Sequence, residues 1–88
     1  MAALAARELE AAGHAEEART VRLAIVRAWP ESAAAPRALL ELARGGRIED
    51  PGQATAWLER LIVDYPESAL APVARRLLSE WQTRVPGA

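Results

Sequence analysis

The residue types that do chemistry are sparse in this chain. His14 is its single histidine, and there is no cysteine. A lone imidazole with no second nitrogen or sulfur ligand builds no metal site, and Gly13-His14 reads as a solvent-exposed turn. No serine or threonine has a base partner that would activate it. Two carboxylate pairs, Glu16-Glu17 and Glu49-Asp50, stand where helices begin. Negative charge there complements the helix dipole, so both pairs read as helix starts rather than acid–base machinery. No constellation passes the first steps of a search for a catalytic site. The chain is read as a non-enzyme with no cofactor, no metal and no small-molecule substrate.

Arginine is the one reactive type in quantity. All 11 basic residues are Arg, against 12 Asp and Glu, for a formal net charge of −1. Such a balance gives no global attraction to nucleic acid or anionic lipid. One candidate set is Arg7, Arg37 and Arg44 with Glu10 and Glu41. A guanidinium grips a carboxylate through two parallel hydrogen bonds, so an acidic peptide end is the ligand this set suits. Arg37/Glu41 and Glu41/Arg44 are also i,i+4 and i,i+3 pairs, which neutralise each other on a solvated helix face; both readings stand. A second set, Arg19, Arg22 and Arg27 with Arg75, Arg76 and Arg84, carries the alternative function, a nucleic-acid-binding helical domain. The near-neutral charge, the absence of lysine and the acids nearby argue against that alternative.

The elements that must position these residues are helices. Ala18, Val21, Ile25, Val26 and Trp29 form a one-sided stripe at helical spacing, as do Ala54, Trp57, Leu58, Leu61, Ile62 and Tyr65. No stretch alternates apolar and polar residues long enough for a strand. The breaks predict five helices, over 2–12, 15–29, 33–44, 51–65 and 69–84. Gly13-His14 separates the first two. Pro30 and Pro66 each end a helix, because a proline inside one loses a hydrogen bond and clashes a turn back. Ser32 and Ser68 are placed to cap the helices that follow. Gly45-Gly46 ends the third. Asp50-Pro51-Gly52-Gln53 opens the fourth, with Asp as cap, Pro at the first helical position and Gln three residues after the cap. Pro86-Gly87 ends the last. The expected core is Ala18, Val21, Ile25, Leu58, Leu61, Ile62, Ala74 and Leu78. Trp29 and Tyr65 are expected to pack at helix–helix corners.

The sequence also repeats itself. Trp29-Pro30-Glu31-Ser32 recurs as Tyr65-Pro66-Glu67-Ser68, 36 residues later. Laying residues 24–43 over 60–79 gives eight identities in twenty: Pro30, Glu31, Ser32, Ala33, Ala35, Pro36, Ala38 and Leu42. Self-similarity at such a period marks a stack in which one supersecondary unit is used more than once. Such stacks mostly hold other molecules rather than transform them.

The repeat resembles the tetratricopeptide family, a helix pair with a small residue early in its second helix and a proline twelve residues later. Ala18 to Pro30 and Ala54 to Pro66 both have that spacing. Tyr65-Pro66-Glu67-Ser68-Ala69-Leu70-Ala71-Pro72-Val73-Ala74 is similar to a subgroup of bacterial envelope proteins, outer-membrane assembly lipoproteins and Tol-Pal coordinators. The resemblance implies an all-α, short solenoid of five antiparallel helices in one domain, 1–88: repeat one 1–32, repeat two 33–68 and a terminal helix 69–84. It also implies that Arg7, Arg37, Glu41 and Arg44 lie on the first helices of successive repeats and line a concave groove.

The last helix carries a further stripe, Leu70, Val73, Leu77 and Trp81. The stripe reads either as ordinary core or as a contact; two and a half repeats are marginal for a free-standing solenoid, so these four are expected to include contact residues for a protein partner or a second copy. The function read from the sequence is a non-catalytic protein–protein interaction module, an adaptor or small accessory subunit. No run nears the roughly 18 apolar residues of a membrane span and no signal stretch opens the chain, so no membrane insertion is expected. The compartment read is cytoplasmic if Met1 is the natural start and periplasmic if the chain is part of a longer envelope protein.

Overall fold

The computed structural model describes residues 13–83. The expected helix over 2–12, with Arg7 and Glu10, and the stop at Pro86-Gly87, with Arg84, lie outside the described residues. Gly13 enters with a φ of +85°, a left-handed turn that glycine adopts without steric cost. Four helices follow: α1 (Ala15–Ala28), α2 (Ala34–Gly46), α3 (Pro51–Asp64) and α4 (Ala71–Thr83). The described residues contain no strand.

The two proline corners are built bond for bond alike. At the first, the Trp29 N–H donates to the Ile25 carbonyl at 2.9 Å, Ser32 N–H to Trp29 at 3.1 Å and Ala35 N–H to Ser32 at 3.2 Å. At the second, Tyr65 donates to Leu61 at 2.9 Å, Ser68 to Tyr65 at 3.1 Å and Ala71 to Ser68 at 3.0 Å. Trp29 sits at φ −133°, ψ 61° and Tyr65 at φ −130°, ψ 55°. The sequence repeat is therefore a backbone repeat at these corners.

The caps differ in chemistry. The Asp50 carboxylate accepts the Gln53 N–H at 3.2 Å, and Pro51 takes the first helical position. Ser68 Oγ accepts the Leu70 N–H at 3.1 Å at the entry to α4. Ser32 does not cap α2. Its hydroxyl turns back and donates to the Trp29 carbonyl at 2.9 Å, and α2 starts from Ala33 with no side-chain cap. A serine hydroxyl can donate or accept, and here a carbonyl at the end of α1 is the nearer partner.

Each helix packs on the next, α1 on α2, α2 on α3 and α3 on α4. Ala18 and Ala54 are fully buried, and so are Leu39, Leu58 and Leu61. Of the expected core, Ala18, Ile25, Leu58, Leu61 and Ala74 are buried, whereas Val21, Ile62 and Leu78 are half-buried and packed against it. The largest share comes from α2, which buries Ala35, Pro36, Ala38, Leu39, Leu40, Leu42 and Ala43. It is covered by α1 on one side and α3 on the other, so both faces must be apolar.

Trp29 departs from its expected packing at a corner: it is 58% exposed. Tyr65, its equivalent, is half-buried and donates its hydroxyl to the Pro30 carbonyl. Tyr65 thus reaches back onto the preceding corner, and no described residue stands in the same relation to Trp29.

Candidate interaction face

The repeat of 36 residues carries α2 onto α4, and with it the two expected sets of site residues. Ala34, Arg37, Glu41 and Gly45 correspond to Leu70, Val73, Leu77 and Trp81. Arg37 and Glu41 of the charged set thus share their register with Val73 and Leu77 of the apolar set, whereas Arg44 corresponds to Glu80.

Features at both ends place the two helices side by side. At their N-terminal ends a groove of about 630 Å³ lies between the proline corners, lined by Pro36, Arg37, Tyr65, Pro66 and Leu70 among others. At their C-terminal ends the Arg47 guanidinium, just past α2, lies 5.1 Å from the centroid of the Trp81 ring on α4. A cation over an aromatic face is attracted by the ring quadrupole. With N-terminal ends together and C-terminal ends together, α2 and α4 run parallel, and α3 returns between them.

The charged half is more structural than its sequence suggests. Glu41 is half-buried between two arginines, Arg44 at 3.7 Å and Arg22 at 3.8 Å. Arg22 is 6% exposed, on the α1–α2 contact. Burial of a charge is costly unless it is paired, so Glu41 is committed inward and only partly available to a ligand. Arg37 is exposed and makes no ion pair among the described residues, and Arg44 is half-exposed. Of the charged candidates, Arg37 is the freest to grip a carboxylate. Arg7 lies outside the described residues.

Sequence reasoning put Arg22 among phosphate-binding arginines and missed its burial. The repeat held the signal. Arg22 corresponds to Leu58, which is fully buried. The rest of that alternative set is dispersed: Arg19 and Arg27 are exposed on α1, Arg75 and Arg76 on α4, with α2 and α3 between those helices.

The apolar half is accessible. Leu70, Val73, Leu77 and Trp81 are each half-buried, packed against the core on one side and open on the other. The chain's own helices cover these side chains in part.

The other chemical candidates are engaged locally. His14 Nδ1 lies 3.2 Å from Glu17 on an exposed turn, and Asp50 is the α3 cap. No group of three or more His, Asp or Glu among the described residues converges on a metal position. No described helix is long and apolar enough to cross a membrane. The arrangement is a half-apolar face with the exposed Arg37 guanidinium at one edge. Compared with known proteins, the chain matches no family model, no curated protein and no solved structure.

Proposed function

We propose that this chain is a non-catalytic protein–protein interaction module of the tetratricopeptide type, which holds a partner on the α2–α4 face. The observation that carries the reading is the alignment of two helices in parallel, with Arg37 and Glu41 on α2 in register with Val73 and Leu77 on α4. Four half-open apolar side chains, Leu70 at the entry to α4 and three on that helix, form a patch of the kind that marks interfaces. Arg37 and Arg44 beside it suit a partner that carries carboxylate next to apolar side chains. The reading makes the chain an adaptor or an accessory subunit, with specificity set by the charged edge and affinity by the apolar strip.

The test is capture of partners from the source cell on the immobilised chain, followed by direct titration with the purified partner. Leu77→Glu and Arg37→Glu should each weaken that titration at least tenfold, while Arg19→Glu on α1 leaves it unchanged. Weakening by Arg19→Glu alone would move the site off this face. A salt-dependent mobility shift on DNA or RNA, with no protein captured, would replace the reading with the nucleic-acid alternative.

A further inference from the structure

The groove between the proline corners has a lining that the apolar strip on α4 does not account for. Pro36, Tyr65, Pro66 and Leu70 make its walls apolar. Its charged lining is one guanidinium, Arg37, and three carboxylates, Glu31, Asp64 and Glu67. Asp64 is held by Arg60 at 3.3 Å. Glu31 and Glu67 are exposed, and their carboxylates make no ion pair or hydrogen bond among the described residues. With Asp64 offset, the lining keeps one negative charge in excess.

Neither acid is explained by the helix that follows it. Negative charge supports a helix from its first turn, but α2 begins at Ala34 and α4 at Ala71, and neither has an acid in that turn. What Glu31 and Glu67 share is register. Each follows a corner proline, and the corners repeat bond for bond. The two residues therefore hold the same place on neighbouring corners, with the groove between them. The Tyr65 hydroxyl is spent on the Pro30 carbonyl, so what Tyr65 offers an occupant is its ring.

We propose that this groove takes a single arginine side chain of a partner polypeptide. Charge selects a monocation, since one guanidinium cancels the excess of Glu31 and Glu67 over Arg37. The lining selects arginine among cations. Its aliphatic stem packs on proline and leucine, and its planar head stacks on an aromatic ring. The same head binds a carboxylate through two parallel hydrogen bonds, whereas lysine is a compact and more strongly hydrated charge. A partner arginine seated here lies beside Leu70, where the apolar strip begins. That the occupant belongs to a polypeptide rests on the reading of the α2–α4 face; the arginine is what the groove adds.

The experiment titrates the isotope-labelled chain with N-acetyl-arginine amide and follows its backbone amides by NMR. N-acetyl-citrulline amide, nearly the same shape without the charge, is the comparison probe. The expected result is a saturable shift at the amides of Glu31–Arg37 and Glu67–Leu70, with binding about tenfold weaker for citrulline and weakened by added salt. Glu31→Gln/Glu67→Gln should lose about tenfold, the cost of removing both carboxylates from one guanidinium. Glu49→Gln/Glu59→Gln removes two exposed carboxylates outside the groove lining and should change nothing. Citrulline binding as tightly as arginine would overturn the proposal. So would an undiminished Glu31→Gln/Glu67→Gln variant, saturable shifts confined to other residues, or no saturable shift at all. Leu77 does not line the groove, so Leu77→Glu leaves the probe's binding unchanged. Failure of the arginine site and failure of the α2–α4 partner face are therefore read separately.

Discussion

The α1–α2 and α3–α4 contacts, which the 36-residue period relates, solve the same packing problem with opposite chemistry. Across the first, Arg22 on α1 approaches Glu41 on α2. At the equivalent positions α3 has Leu58 and α4 has Leu77. Leu58 is fully buried and Arg22 nearly so. A buried position thus tolerates either an ion pair or two leucines, provided both partners change together. Crossing the two would set an unpaired charge against hydrocarbon, the costliest outcome for a buried group.

The largest expected effect comes from forcing that mismatch. Leu58→Arg should cost about 3–5 kcal/mol, a large part of the ~5–15 kcal/mol that holds a domain. Leu58→Arg/Leu77→Glu, which imports the Arg22–Glu41 pair, should recover part of the loss. Urea denaturation of the three proteins reads this directly. A double variant no more stable than Leu58→Arg alone would break the equivalence of the two contacts.

The reverse exchange sharpens the comparison at smaller amplitude. Glu41→Leu removes one partner of a buried guanidinium and should cost roughly 1–3 kcal/mol. Arg22→Leu/Glu41→Leu makes the α1–α2 contact resemble the α3–α4 contact and should be neutral or more stable than wild type. A double-mutant cycle on the same denaturation curves gives the coupling. Strictly additive losses would show that Arg22 and Glu41 do not act as a pair.

These contrasts also show what was legible in the residues. The four described helices were, because Pro30, Pro66, Gly13 and the Asp50-Pro51 start punctuate two clear apolar stripes. Their observed ends fall within two residues of those expected. Ala18 and Ala54, the small residues twelve before each proline, are both fully buried. The burial of Arg22 was not legible, because residue type outweighed register: an arginine reads as surface until its counterpart Leu58 is consulted. The apolar stripe on α4 was legible, and its residues are half-buried against the core. The two serines look identical in sequence and differ only in which group their hydroxyls reach.

That difference predicts unequal caps. Asp50→Ala should cost about 1 kcal/mol, the usual loss when an N-cap acceptor is removed. Ser32→Ala should cost a few tenths at most, because its hydroxyl supports an exposed carbonyl rather than the start of α2. Thermal unfolding of both variants decides. Equal losses would mean that Ser32 caps α2 in solution.

The smallest effects lie at the corners, where the comparison is most exact. The Tyr65 hydroxyl donates to the Pro30 carbonyl, which ties the second corner to the first. Removing that donor alone, Tyr65→Phe, should cost about 0.5–1.5 kcal/mol, the net worth of one hydrogen bond. Trp29 occupies the same backbone conformation but stands 58% exposed. With most of its ring in water it contributes little burial, so Trp29→Ala should change stability by less than about 0.5 kcal/mol in spite of the volume removed. The two variants differ in the sense opposite to the size of the deletion: a single oxygen outweighs a whole indole. Denaturant midpoints measured together settle the order. A larger loss at Trp29 would show that this corner is covered in solution, and that the first repeat is clasped from its N-terminal side as the second is clasped to it.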